Sequence, residues 1–197
     1  MHRNLAFLAT LLFFGCGKKN EISESEVVLP QRITEKQLPE EGLVLVEVDI
    51  NTDQQPDIFN YFREREAAPR VLVKKKVDLN YDGKIDVISY FNLEGLMERE
   101  EMDGDFDGRF DTADYYQDGV RVMSERDTDY DGRPNIYSYY ESFEDDQGEM
   151  RGRITHQERD TNGDGKIDYW LRFNESGDVI KTGRDTDGDG KMDVREE

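Results

Sequence analysis

The sequence predicts an all-β protein, a repetitive antiparallel β-hairpin meander or solenoid-like array with aspartate-rich loops along one edge. Three observations carry that reading. A nine-residue Asp-rich segment recurs six times in a single register. Each copy runs into a short stretch rich in β-branched and aromatic residues, the composition of a strand. Length varies only at the far end of each hairpin, so the loop edge is the constrained one.

The copies are DINTDQQPD from Asp49, DLNYDGKID from Asp78, DGDFDGRFD from Asp103, DTDYDGRPN from Asp127, DTNGDGKID from Asp160 and DTDGDGKMD from Asp185. Their starts lie 29, 25, 24, 33 and 25 residues apart. The outgoing strands are IFNYF, VISYF, TADYY, IYSYY and YWLRF. Turn-like stretches follow at 92–95, 117–119 and 174–178, while the stretches after Phe62 and Tyr140 are longer. Segments such as LVLVEV, VLVKKKV, LMEREEM and VRVMSER then return the chain to the next loop. Each repeat is therefore a hairpin, and residues 42–197 hold eleven or twelve short strands. The period is too short for the four-stranded blades of a propeller.

Residues 1–41 read differently. A basic start and the apolar run at 5–14 have the length of a secretory h-region, too short to span a bilayer as a mature helix. The expected signal peptide is 1–15, with an ordinary signal cut nearby and a buried N-terminal helix as the other readings. The run stops at Gly15-Cys16-Gly17, which holds the chain's single cysteine. This resembles the lipobox of bacterial lipoproteins, with Phe13 and Phe14 where that motif usually has Leu and a small residue. The resemblance implies lipidation at Cys16, a membrane anchor, and a place in the cell envelope as an outer-membrane lipoprotein. Polar residues without a period then make 16–41 a flexible tether.

Composition narrows the function. Charged residues make up 37% and hydrophobic ones 35%, a balance that offsets chain entropy poorly, yet aromatics reach 11%. A chain so built folds with help from outside its apolar core. The net charge of −20 repels phosphate backbones, so nucleic acid is excluded as a partner and divalent cations are favoured.

The loops carry the chemistry. Calcium takes six to eight hard oxygen ligands, which an acidic loop supplies from alternating positions, with glycine at position 6 where φ is positive. Gly83, Gly108, Gly132, Gly165 and Gly190 hold that position, and Gln54 breaks the rule in the first loop. The pattern resembles the EF-hand loop D-x-[DN]-x-[DN]-G and the loops of dockerins and thrombospondin type 3 repeats. That resemblance implies calcium as cofactor and assigns side-chain ligands at positions 1, 3, 5 and 9. They are Asp49, Asn51, Asp53 and Asp57; Asp78, Asn80, Asp82 and Asp86; Asp103, Asp105, Asp107 and Asp111. The later loops contribute Asp127, Asp129, Asp131 and Asn135; Asp160, Asn162, Asp164 and Asp168; Asp185, Asp187, Asp189 and Asp193. Position 12, where EF-hands carry a bidentate Glu, falls on Asn60, Ser89, Asp114, Ser138, Leu171 and Glu196. Loop six, with Glu196, is expected to bind tightest and loop one weakest, with affinities near the ~10⁻⁴ to 10⁻³ M of extracellular modules.

No other constellation competes. His156 has no cysteine or second histidine outside the signal to form a zinc site or a triad. The recurring Tyr and Phe residues and Trp170 read as cross-strand packing, with sugar stacking as the alternative. Lys84, Arg109, Arg133, Lys166 and Lys191 at position 7 read as solvated charges. The expected function is a non-enzymatic, calcium-binding, lipid-anchored envelope module whose partner is an envelope protein or polysaccharide. The alternative is a scaffold or accessory of a polysaccharide-processing system.

Overall fold

The computed structural model describes residues 32–196. The expected signal peptide, Cys16 and the first part of the expected tether lie outside the described residues. Thirteen strands follow in chain order: β1 (Arg32–Leu38), β2 (Leu43–Asp49), β3 (Ile58–Arg65), β4 (Ala68–Val77), β5 (Val87–Phe91), β6 (Met97–Met102), β7 (Thr112–Gln117), β8 (Val120–Arg126), β9 (Ile136–Glu144), β10 (Met150–Arg159), β11 (Tyr169–Phe173), β12 (Val179–Arg184) and β13 (Val194–Glu196). Each pairs antiparallel with the next, giving one open 13-stranded meander that does not close into a barrel. No helix occurs among the described residues.

The all-β hairpin meander thus matches the expectation, with one correction at its start. The tether expected at 16–41 already contains β1, which pairs with β2 from Arg32↔Asp49 to Leu38↔Leu43. A polar sequence can hold a strand here because Thr34 and Lys36 both bond the Glu47 carboxylate, at 2.8 and 2.7 Å, and Gly42 at φ 65° makes the return turn. Its hydrophobic alternation is absent because most of its side chains face solvent.

Each long hairpin carries a bulge at the same height. The register slips between Tyr61 and Phe62, Tyr90 and Phe91, Tyr115 and Tyr116, Tyr139 and Tyr140, and Arg172 and Phe173. One residue of the returning strand is left over each time: Val73, Glu98, Val122, Thr155 and Ile180. A bulge bends its strand and adds local right-handed twist, and here it recurs at one height in five hairpins.

Few apolar side chains are buried: Val44, Leu45, Val71 and Leu171. Aspartates and serines outnumber them, with Asp57, Asp86, Asp103 and Ser124 among the most enclosed. A single layer has no second sheet to bury against, so long side chains cover their own face. On one face a cross-strand row runs Tyr61, Lys74, Tyr90, Arg99, Tyr115, Met123, Tyr139, His156, Arg172. Lys74 lies 4.2 Å over the Tyr61 ring and Arg99 5.5 Å over Tyr115, while Tyr139 stacks on His156 at 4.2 Å. The Tyr115 hydroxyl donates to Glu125 at 3.0 Å. These contacts are cross-strand packing, in which cation–π attraction replaces apolar burial.

The long β9–β10 hairpin bends back over β8. A Cβ on Gly152 would stand 2.8 Å from the Arg121 carbonyl oxygen, while the Arg121 guanidinium lies 4.4 Å over the Tyr140 ring. Gly152→Ala is expected to destabilise the domain by about 1–3 kcal/mol, since backbone must move to admit the methyl. Urea unfolding followed by circular dichroism reads the change.

Candidate metal sites

The six Asp loops fall between β2 and β3, β4 and β5, β6 and β7, β8 and β9, β10 and β11, and β12 and β13, all on one edge. All six share one internal wiring. The position 1 carboxylate accepts the backbone N–H groups of positions 4 and 6 at 2.6–3.0 Å. The position 9 side chain accepts the N–H of position 2 at 2.6–3.0 Å. Position 5 accepts the N–H of position 7 at 2.7–2.9 Å. Except in loop four, position 3 accepts the N–H of position 5 at 2.9–3.2 Å. These are Asx-type bonds, and Asp and Asn recur because their short side chains reach a backbone donor two or three residues on.

Adjacent loops are stitched together. Position 9 donates its N–H to the residue before position 1, and its carbonyl accepts the N–H of position 1 in the next loop: Asp57 to Asp78, Asp86 to Asp103, Asp111 to Asp127, Asn135 to Asp160, Asp168 to Asp185. This ladder runs from Val48 to Asp193 with every bond at 2.8–3.0 Å. Three of the position 7 side chains, Lys84, Arg133 and Lys166, also reach forward to the next loop, while Lys191 bonds Asp189 of its own loop. Lys166 Nζ donates to the Gly188 carbonyl at 2.5 Å, and Lys84 lies against Gly108.

Three loops gather three carboxylates whose oxygens lie within 4.8 Å of one another and can hold a metal ion: Asp103, Asp105 and Asp111; Asp127, Asp129 and Asp131; Asp185, Asp187 and Asp193. These are the loops with Asp at position 3. Loops one, two and five carry Asn51, Asn80 and Asn162 there, so fewer carboxylates converge. Crowding shows in the titration of the clusters. Asp105 is pushed above the ordinary carboxylate value by desolvation, with Asp107 and Asp103 adding repulsion. Asp129 is raised by desolvation and then by Asp127 and Asp131. Desolvation pushes Asp185 the same way, but the backbone N–H groups of Gly190, Gly188, Asp187 and Asp189 outweigh it and hold the group down. Two N–H donors on an anionic oxygen pair favour the ionised form that a cation needs.

The position 12 expectation is corrected. Asn60, Ser89, Asp114, Ser138 and Leu171 lie inside β3, β5, β7, β9 and β11, on one cross-strand row with Lys75, Glu100, Ser124, Gln157 and Thr182. Glu196 continues that row in β13, opposite Thr182. The N–H of position 9 already pairs into the ladder, so the chain is a strand by position 10 and the loop ends at nine residues. Glu196 is exposed in β13 and is not among the three carboxylates that converge in loop six.

The sequence missed a second left-handed position. Position 4 has positive φ in all six loops: Thr52 (66°), Tyr81 (65°), Phe106 (65°), Tyr130 (60°), Gly163 (75°) and Gly188 (79°). Only the last two are glycine, and the three aromatics are also exposed. The signal was faint, a Gly-x-Gly spacing confined to loops five and six.

Gln54 sits at φ 78°, in the position where the other loops have glycine. Gln54→Gly is expected to gain up to about 1 kcal/mol, and Gly83→Ala at the equivalent φ of 87° to lose about 1–2 kcal/mol. Thermal unfolding of the two variants beside the parent checks both signs.

The sequence matches no protein-family model and no curated protein. Among solved structures, the chain is similar to a crystal structure of a mutant S. aureus TarM in complex with Fondaparinux, alpha-GlcNAc-glycerol and UDP. The match has a TM-score of 0.29 and 14% identity, covering 71% of this chain and 21% of that one. At that level it assigns neither fold nor activity.

Proposed function

We propose that the chain is a non-enzymatic calcium-binding module of the cell envelope, anchored by a lipid at Cys16 and stabilised by ions along its loop edge. The observation that carries this reading is the convergence of three carboxylates in each of three loops on one edge. The donors are hard oxygens, which suit calcium and disfavour zinc or copper; magnesium demands a shorter octahedral shell. The wiring supports the same reading, because it fixes every cluster carboxylate except Asp129 by one or two N–H bonds before an ion arrives, which lowers the ordering cost of binding.

The role proposed for the ion is structural. The four apolar side chains buried among the described residues are a small core, and twenty Asp residues crowd the six loops. At tenfold excess over its dissociation constant, each site adds about 1.4 kcal/mol, so the three clusters contribute about 4 kcal/mol. Domains are stable by only about 5–15 kcal/mol, which makes that a decisive share. The loop-to-loop ladder supports cooperative loading, since ordering one loop fixes position 1 of the next.

Calcium is expected to raise the melting temperature and compact the chain, and a chelator to expand it, with magnesium rescuing poorly. Circular dichroism and small-angle scattering at fixed ionic strength measure this; a chelated protein as compact and β-rich as the calcium form sinks the structural role. The anchor has its own test. In a bacterial host, Cys16→Ala is expected to leave an unprocessed or unanchored product, and a detergent-phase mature protein from that variant rules the anchor out.

A further inference from the structure

Strands β10 to β13 carry a feature of opposite chemistry to the loop edge. On the face that holds the tyrosine row, a cleft of about 310 Å³ is lined by His156, Trp170, Arg172, Lys181, Met192 and Arg195. In a chain of net charge −20, three of these six are cations. The register explains why they meet. His156 pairs with Arg172 and Arg172 with Lys181, while in the next row Trp170 pairs with Gly183 and Gly183 with Arg195. Trp170 and Arg172 stand two residues apart on β11 and so share a face.

Gly183 is what leaves room beside the indole. With no side chain there, Met192 folds across it, where a Cβ would lie 2.5 Å from the Met192 sulfur. The methionine forms an apolar wall next to the ring. Arg172 is exposed and makes no hydrogen bond, ion pair or ring contact among the described residues, unlike Arg99, Arg121 and Arg153 on neighbouring hairpins. Among the described residues one carboxylate lines the cleft, Glu158, and it already accepts the Tyr139 hydroxyl at 3.4 Å. His156 is stacked on Tyr139, and burial followed by the Arg172 charge holds it below its ordinary value, so it presents as a neutral ring.

We infer that this cleft binds a sugar ring bearing a carboxylate or phosphate, with the ring against Trp170 and Met192 and the anion on the Arg172 guanidinium. The parts match in size and charge. About 310 Å³ lies at the small end of ligand sites, enough for one ring and its substituent. A guanidinium offers a planar fork that a carboxylate or phosphate accepts in two bonds, and an indole face suits the C–H face of a pyranose better than it suits a bare ion. None of the cleft residues belongs to the three carboxylate clusters, though Met192 lies in loop six beside Asp193, so the cleft adjoins that loop and is titrated with calcium held constant.

Trp170 is the only tryptophan in the sequence, so intrinsic emission reports on this cleft directly. The full chain, at a fixed free calcium concentration, is titrated with glucuronic acid, a glucuronate-containing tetrasaccharide, glucose 1-phosphate, neutral cellotriose and inorganic phosphate. A saturable change in emission is expected with the tetrasaccharide or the sugar phosphate. Arg172→Gln is expected to weaken it at least tenfold and Arg172→Lys by less. The exposed site lets both variants fold, which the far-ultraviolet spectrum checks. Response to glucuronate alone identifies a carboxylate ligand, and response to the sugar phosphate alone a phosphorylated one. No saturable change, equal binding of cellotriose, equal binding of inorganic phosphate, or an unaltered Arg172→Gln titration each overturns the inference.

Discussion

Every loop is closed by the same pair of acceptors, the side chains at positions 1 and 9, and the strands on either side take their places from that closure. Asp57, Asp86 and Asp103 are among the most enclosed groups in the protein, nearly out of solvent. Buried anions are tolerable only when their lone pairs are satisfied, and here the donors are the backbone N–H groups of the same loop. The backbone of these same residues carries the ladder between neighbouring loops. Two short Asp or Asn side chains thus close each turn, while the backbone of the same residues links neighbouring loops. Replacing either by an apolar side chain would leave loop N–H groups without their acceptor.

What the aspartates do at the edge, the tyrosines and cations do across the face. A single sheet cannot bury a hydrophobic side, so stability has to come from contacts between neighbouring side chains on one surface. The alternation of rings with Lys74 and Arg99 achieves this, as does the stacking of His156 on Tyr139. The β9–β10 hairpin adds a contact beyond its neighbours by approaching β8 at Gly152.

The position 4 aromatics carry a backbone cost that no burial offsets. Tyr81, Phe106 and Tyr130 take a left-handed backbone that costs about 1–2 kcal/mol each, and their rings remain exposed. Loops five and six place glycine there and avoid the strain. The loop geometry imposes the positive φ in all six loops, and it becomes strain only where the residue carries a side chain.

Local sequence was enough to specify the repeat, the strand that follows each loop and the placement of carboxylates, because each depends on residues only a few positions apart. Asp at positions 1, 5 and 9 is readable since each reaches its donor within the loop. Whatever depends on strands meeting was settled only by the assembled sheet. β1 has no local pattern of its own and exists because Glu47 and the free edge of β2 supply its partners. Position 12 looks like a ligand in the linear motif, yet the ladder turns the chain into a strand first and carries Asn60, Ser89 and Glu196 into the sheet. The cleft around Trp170 joins residues as far apart as His156 and Arg195, which only the register of four consecutive strands brings onto one face. A two-residue period tells which side a residue faces within its own strand, but not what the neighbouring strand sets beside it.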